Sequence, residues 1–221
     1  SIDFGYRTDL VKNRLSIDIS AYYSWYKDFL GFTRVVQPNI GRAGQESGDN
    51  QILGQNYTVY QLQANAKATV PSWGAAIDVR YYVGHGIRPY INYTYTDLDD
   101  TNLQTSGTLV LSGFNTPKHK LNLGIEGHKV WKGLGFTANW KWVDKYEYQN
   151  AFADGVVPSF HVLDMQVSYE FEKAYSTLRV GGSNIYNNWH IEAVGAPKIG
   201  ALYYVSYTFD MPNIAKKKAK K

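Results

Sequence analysis

Ser159, His161 and Asp164 lie close together in the chain and are the residue types that nucleophilic hydrolysis requires. Acyl transfer needs hydroxyl, imidazole and carboxylate within hydrogen-bond reach of one another. In an extended segment Ser159, His161 and Leu163 point to one side and Asp164 to the other, so this spacing separates the carboxylate from the base. The five histidines, at 85, 119, 128, 161 and 190, show no His-Glu-x-x-His run or other close ligand spacing. Cysteine is absent, which removes disulfides, thiolate metal sites and cysteine redox chemistry. The glycines fall in turns and strands and open no helix, so no phosphate cradle is visible. The expectation is a chain with no catalytic residues, no cofactor and no metal, and not an enzyme.

A different chemistry is written at every second position. Asp18, Asp78, Arg80, Arg88, Glu126, Lys141, Asp164, Glu170 and Arg179 share polar faces with Asn92, Asn122, Asn139 and Gln166, while the intervening positions are apolar or aromatic. Mixed signs on one face suit a wet lumen or a polar filling, whereas a soluble barrel needs an apolar set pointing inward. In the closing stretch Tyr203, Val205, Tyr207 and Phe209 form the opposite face, oily with aromatic ends, which predicts contact with lipid.

The elements that must carry these faces are strands. Leu15 to Trp25 alternates without a break, and hairpins are predicted around Val11 to Arg14, Gly84 to Gly86, Lys129 to Gly133 and Lys173 to Ser176. Residues 38–56 and 97–118 read as long polar loops, as does 146–157, and residues 57–83 read as one bent or interrupted strand. Short and long connections therefore alternate, as they do in outer-membrane barrels, and the count is about nine strands. Nine cannot close an antiparallel barrel, so the expected fold is all-β, a transmembrane β-barrel seen as the C-terminal part of a larger one. Residues 1–209 form the barrel portion in this reading, and residues 210–221 a lysine-rich tail.

Composition agrees. The 221 residues contain 19 Tyr and 6 Trp with a mean hydropathy of -0.38, and no run approaches the ~18 apolar residues of a spanning helix. Much of the +4 net charge sits in the terminal lysines, so the body carries no nucleic-acid footprint. The chain begins at Ser1 in what already reads as a strand, without a signal peptide, and is taken to be processed or partial.

Three stretches carry a resemblance: Asn115-Thr-Pro-Lys-His-Lys120, Val157-Pro-Ser-Phe-His-Val-Leu-Asp164, and Gly181-Gly-Ser-Asn-Ile-Tyr-Asn-Asn188 leading to Gly195-Ala-Pro197 and the aromatic closing strand. In order and spacing they resemble the barrel end of TonB-dependent outer-membrane receptors. The resemblance implies a 22-stranded barrel in the outer membrane of a Gram-negative bacterium, filled by an N-terminal plug. It implies import of a scarce nutrient such as a metal chelate, vitamin or glycan. Energy would come from the TonB complex through a TonB box, and neither plug nor box lies in this chain. Long loops would be extracellular and the tail periplasmic. Outer-membrane lipid is the expected surroundings, and a surface lipoprotein is a further candidate partner. A passive porin, or a structural or adhesive barrel that scaffolds a surface complex, are the alternatives. Proline at 117 is expected to start a strand, and Asn184 and Asn187 to stabilise a turn.

Overall fold

The computed structural model describes residues 1–38, 57–101, 103–105, 108–150 and 154–210. The alternating segments form β1 (Ile2–Val11), β2 (Leu15–Tyr26), β5 (Val70–Tyr81), β6 (Ile87–Leu98), β9 (His119–Trp131), β10 (Leu134–Val143), β13 (Phe160–Phe171), β14 (Ser176–Ser183) and β15 (Leu202–Phe209). They make one nine-stranded antiparallel sheet in which each strand pairs with the next along the chain, with β1 and β15 as free edges. Three hairpins stand apart from it: β3 (Leu30–Pro38) with β4 (Tyr57–Asn65), β7 (Gln104–Thr105) with β8 (Thr108–Leu109), and β11 (Tyr146–Gln149) with β12 (Asp154–Val157).

This corrects the reading of residues 57–83 as one interrupted strand. Tyr57–Asn65 pairs with β3, and the sheet strand begins only at Val70. Pro71 and Gly74 sit inside β5, opposite Trp25 and Tyr22, rather than marking its break. Residues 146–157 and 97–118 likewise hold short hairpins, and residues 39–56 lie outside the described residues.

At one end of the sheet the connections are tight. Arg14 N–H donates to Val11 O at 2.8 Å across the first. The turn expected at 129–133 is shorter than the sequence suggested: β9 runs to Trp131, and Lys132 (φ +42°) with Gly133 (φ +87°) closes it. Two consecutive left-handed residues match the twist of the strands they join. After β13 a single 3₁₀ turn, Glu172–Ala174, ends on Tyr175 in the left-handed region at φ +48°.

One packing device recurs on the polar face. Tyr90 lies opposite Gly124, whose missing side chain leaves room for the ring, and its hydroxyl donates to Asn139 Oδ1 on the strand beyond at 3.2 Å. Tyr204 lies opposite Gly181 and reaches Gln166 Oε1 at 3.1 Å in the same way. Each tyrosine thus bridges three strands, and the close approach explains glycine at 124 and 181.

Candidate functional site

The register settles which residues share a face. Cross-strand partners project to the same side, and Arg7, Asp18, Asp78, Asn92, Asn122 and Lys141 form one continuous row. Arg80 lies in the next row with Ser16 and Tyr90, Arg88 is opposite Glu126, and Asp164 is opposite Asn139. Glu170 pairs with Thr177, and Arg179 with Ser168 and Ser206. All nine predicted charged residues are on this face. Asp18 and Asp78 are neighbours of like charge, and each has its own cation: Arg7 Nε donates to Asp18 at 2.7 Å and Arg80 Nε to Asp78 at 2.8 Å. Lys129 Nζ lies 2.9 Å from Glu170.

The opposite face carries Tyr6, Ile19, Ile77, Tyr93, Leu121, Trp142 and His161 in one row and Gly127, Phe136, Val167, Val180 and Val205 in another. Tyr203, Val205, Tyr207 and Phe209 belong to it and are 57–71% exposed, so no core covers them. Large apolar side chains in this number stay uncovered only where something other than water meets them.

The buried apolar side chains among the described residues sit at the other end of the sheet, under its four long connections. Val143 on β10 and Phe160 and Val162 on β13 occupy polar-face positions, yet with Val157 they form a cluster packed by Tyr146, Tyr148, Ile191 and Val194. Val70 on β5 joins Ala66, Leu103 and Val110 in a second cluster packed by Phe29, Ala64 and Leu98. The connections therefore fold over the polar face rather than outward. They also hold one another. Leu111 bridges to Phe32, Asn115 and Gln149 exchange bonds of 2.9 and 2.7 Å, and Tyr146 hydroxyl donates to Glu192 O at 2.6 Å. Arg34 on β3 pairs with Asp154 on β12, with Nη2 to Oδ1 at 2.6 Å, and Nη2 also donates to Asn150 O. The hydrogen bond to Asp154 pushes the Arg34 guanidinium above its ordinary value, and burial followed by the Glu192 charge pushes the Tyr146 phenol up. Between the second and third connections is a cavity of about 470 Å³, lined by Phe114, Lys118, Asp144, Tyr146 and Glu147 among others. Its Lys118 ammonium is held above its usual value by the hydrogen bond it donates to Asp97 at 2.8 Å.

The catalytic geometry that could have been assembled from Ser159, His161 and Asp164 is not formed. His161 leans on Trp140, ring centroids 6.2 Å apart, while Asp164 Oδ1 accepts from Ser183 Oγ at 2.6 Å and Asn184 N–H at 2.8 Å. Asn184, in the left-handed region at φ +51° and 2% exposed, then closes its own loop with Asn188 through bonds of 2.9 and 3.0 Å. Asn184 thus stabilises the turn as expected, whereas Asn187 Oδ1 accepts from Ala201 N–H at 2.9 Å and ties the turn to the approach of the closing strand instead. Asp164→Ala leaves the N–H of buried Asn184 without its acceptor, which costs ~1–3 kcal/mol. It is expected to lower the urea midpoint of the folded protein in detergent, with Ser183→Ala lowering it less. No group of three or more His, Cys, Asp or Glu able to hold a metal is found among the described residues.

An open nine-stranded meander with one charged and one greasy face is a piece of barrel wall. Residues 1–185 match the family model described as TonB dependent receptor-like, beta-barrel. The chain belongs to this family. Members are outer-membrane β-barrels of Gram-negative bacteria that act as transporters, not enzymes. Among solved structures the chain is similar to the copper transporter OprC (TM-score 0.63, 15% identity, 93% of this chain and 30% of that one). It is similar also to the siderophore receptor PiuA from Acinetobacter baumannii (TM-score 0.59, 15% identity, 93% and 28%). A third is the ferric citrate transporter FecA (TM-score 0.56, 18% identity, 93% and 30%). At these identities the likeness is one of fold, and the chain spans about 30% of the length of such structures. No curated protein matches in sequence.

Sequence reasoning placed the charged face and missed the roof over it. Val143, Phe160, Val162, Glu192 and the Arg34–Asp154 pair were not singled out. The usable signal was apolar residues at both parities where β10 ends and β13 begins.

Proposed function

We propose that this chain is wall of an outer-membrane active transporter that imports a scarce nutrient under TonB control, a metal chelate before a vitamin or glycan. Residues 1–209 are barrel in this reading and residues 210–221 a periplasmic tail. Asp18, Asp78, Arg80, Arg88, Glu126, Lys141, Asp164, Glu170 and Arg179 line the lumen against a plug, and Tyr203, Val205, Tyr207 and Phe209 meet lipid. The four long connections are extracellular and capture the ligand. The observation that carries this is the inward fold of those connections over a face of mixed charge, because a freely open pore gains nothing from a packed roof.

Membrane geometry supports it. From His161 to Tyr169 on the greasy face of β13 is about 27 Å along the strand at ~3.4 Å per residue, or roughly 20 Å along the normal at a tilt of ~40°. Aromatic residues flank that interval on both sides, with Trp142 and His161 above and Tyr169, Phe171 and Phe209 below. That matches an apolar band between two girdles. The metal-chelate preference rests on the similar structures, whose names give copper, a siderophore and ferric citrate as their cargo.

A strain deleted for the whole gene is expected to lose growth on one iron or copper chelate supplied as sole source, and the complemented strain to lose it again when TonB is removed. Growth restored equally without TonB identifies a passive porin instead. Unaltered growth and uptake on every chelate, vitamin and glycan supplied would leave the structural or adhesive role.

A further inference from the structure

We propose that the hairpin from His190 to Ile199 is the constriction that sets what size of solute enters over the polar face, and that Glu192 is the positioning residue that seats it. The proposal rests on the polar face being the lumen wall.

The hairpin is a closed unit. His190 N–H donates to Ile199 O at 3.3 Å, Ile199 N–H to His190 O at 2.7 Å, and Ala196 N–H to Ala193 O at 3.2 Å across its bend. Both its base and its bend are seated on the wall by apolar contact. The His190 ring stacks on Phe160 with centroids 4.3 Å apart, and Ile191 and Val194 join the cluster of Val143, Phe160 and Val162. Those three are on the polar face, in the same alternation as Lys141 and Asp164. The hairpin therefore projects over the charged surface, not over the lipid-side surface. On its return arm Ala196, Pro197 and Lys198 are exposed, so among the described residues nothing covers that arm from above.

One carboxylate faces an ammonium and an imidazole here. Glu192 Oε1 is 3.6 Å from Lys141 Nζ on β10 and 3.6 Å from His190 Nε2. The Lys141 ammonium also lies over the Phe160 ring at 5.6 Å, and Tyr146 holds the Glu192 carbonyl. The apolar seat fixes where the hairpin stands, and the half-exposed carboxylate biases how much of the time it stands there. Two strands side by side with their side chains span roughly 10 Å, enough to divide an entrance.

The test reads the entrance directly. Thr137→Cys, at an exposed polar-face residue of β10 four positions below Lys141, puts a single thiol into this otherwise cysteine-free stretch and reports entry in the full-length receptor in intact cells. The rate at residue 137 is followed by peptide mass with a small impermeant maleimide and a bulky polymer-linked one. Glu192→Gln is expected to speed the bulky reagent by roughly two- to five-fold, the scale of a solvent-screened charge contact, and to leave the small one unchanged. Gly155→Cys with Val194→Cys locks the hairpin to β12: a Cβ built at Gly155 lies 3.3 Å from Val194 Cγ2, where a sulfur would stand. Oxidation of that pair is expected to slow the bulky reagent at least tenfold, and reduction to restore it. Equal rates in all variants, or no labelling of residue 137 in any, overturns the proposal. Val167→Cys on the opposite face separates the two claims. If it labels with the impermeant reagent and residue 137 does not, the face assignment itself is wrong.

Discussion

A Val167→Arg variant is expected to lose about 2–4 kcal/mol of folding stability, the cost of a guanidinium near the middle of a lipid-facing strand, and to reach the outer membrane in reduced amount. Val167 lies between Phe136 and Val180 in the greasy row and is 50% exposed with no side chain over it. The informative comparison is Thr137→Arg. Thr137 is on the neighbouring strand, opposite Gln166, so the same charge enters at almost the same height but on the other face. There a surface substitution is worth within about 0.5 kcal/mol. Urea midpoints in detergent, and the fraction of barrel that keeps its compact mobility in unheated gel samples, measure both. Equal loss in the two variants would mean that the sheet has no lipid side.

Gly86→Ala is expected to be the most damaging of the single-methyl changes. Gly86 has φ +77°, and a Cβ there would stand 2.1 Å from the carbonyl oxygen of His128. Both partners are backbone, fixed by the bond His128 N–H donates to Gly86 O at 3.0 Å, so no side-chain rotation relieves the clash. A left-handed conformation costs an L-residue roughly 1–2 kcal/mol, and overpacking adds about 1–3 kcal/mol. Gly195→Ala separates the two contributions, because Gly195 has φ +84° with nothing within 4 Å of a Cβ. Gly86→Ala should therefore lower the unfolding midpoint clearly further than Gly195→Ala. Matching midpoints would mean that the β5–β6 turn does not pack against β9.

The wall was legible in the sequence because its signal is local. In β2, β13 and β15 each residue's face follows from its neighbour's, and the period of two survives whatever the rest of the protein does. The polar row was legible for the same reason: Asp18, Asp78 and Lys141 each sit at the right parity of their own strand. The roof was not, because its contacts are long-range. Arg34 and Asp154 are 120 positions apart and nothing in either segment names the other. β3 was missed because Leu30–Pro38 pairs with Tyr57–Asn65 across residues 39–56 and makes no ladder with the main sheet. Asp164 had the correct face, but its carboxylate is taken up by Ser183 and Asn184, a partnership that forms only once β13 and β14 lie side by side.

The rings of Tyr90 and Tyr204 lie over glycines, with their hydroxyl protons already given to Asn139 and Gln166. The two aromatic plates therefore fill the gaps that the glycines leave and level the surface at these two places. Removing either hydroxyl would free one amide oxygen and untie a strand from its next-but-one neighbour, so these rings act as cross-stitches in a sheet otherwise joined only edge to edge.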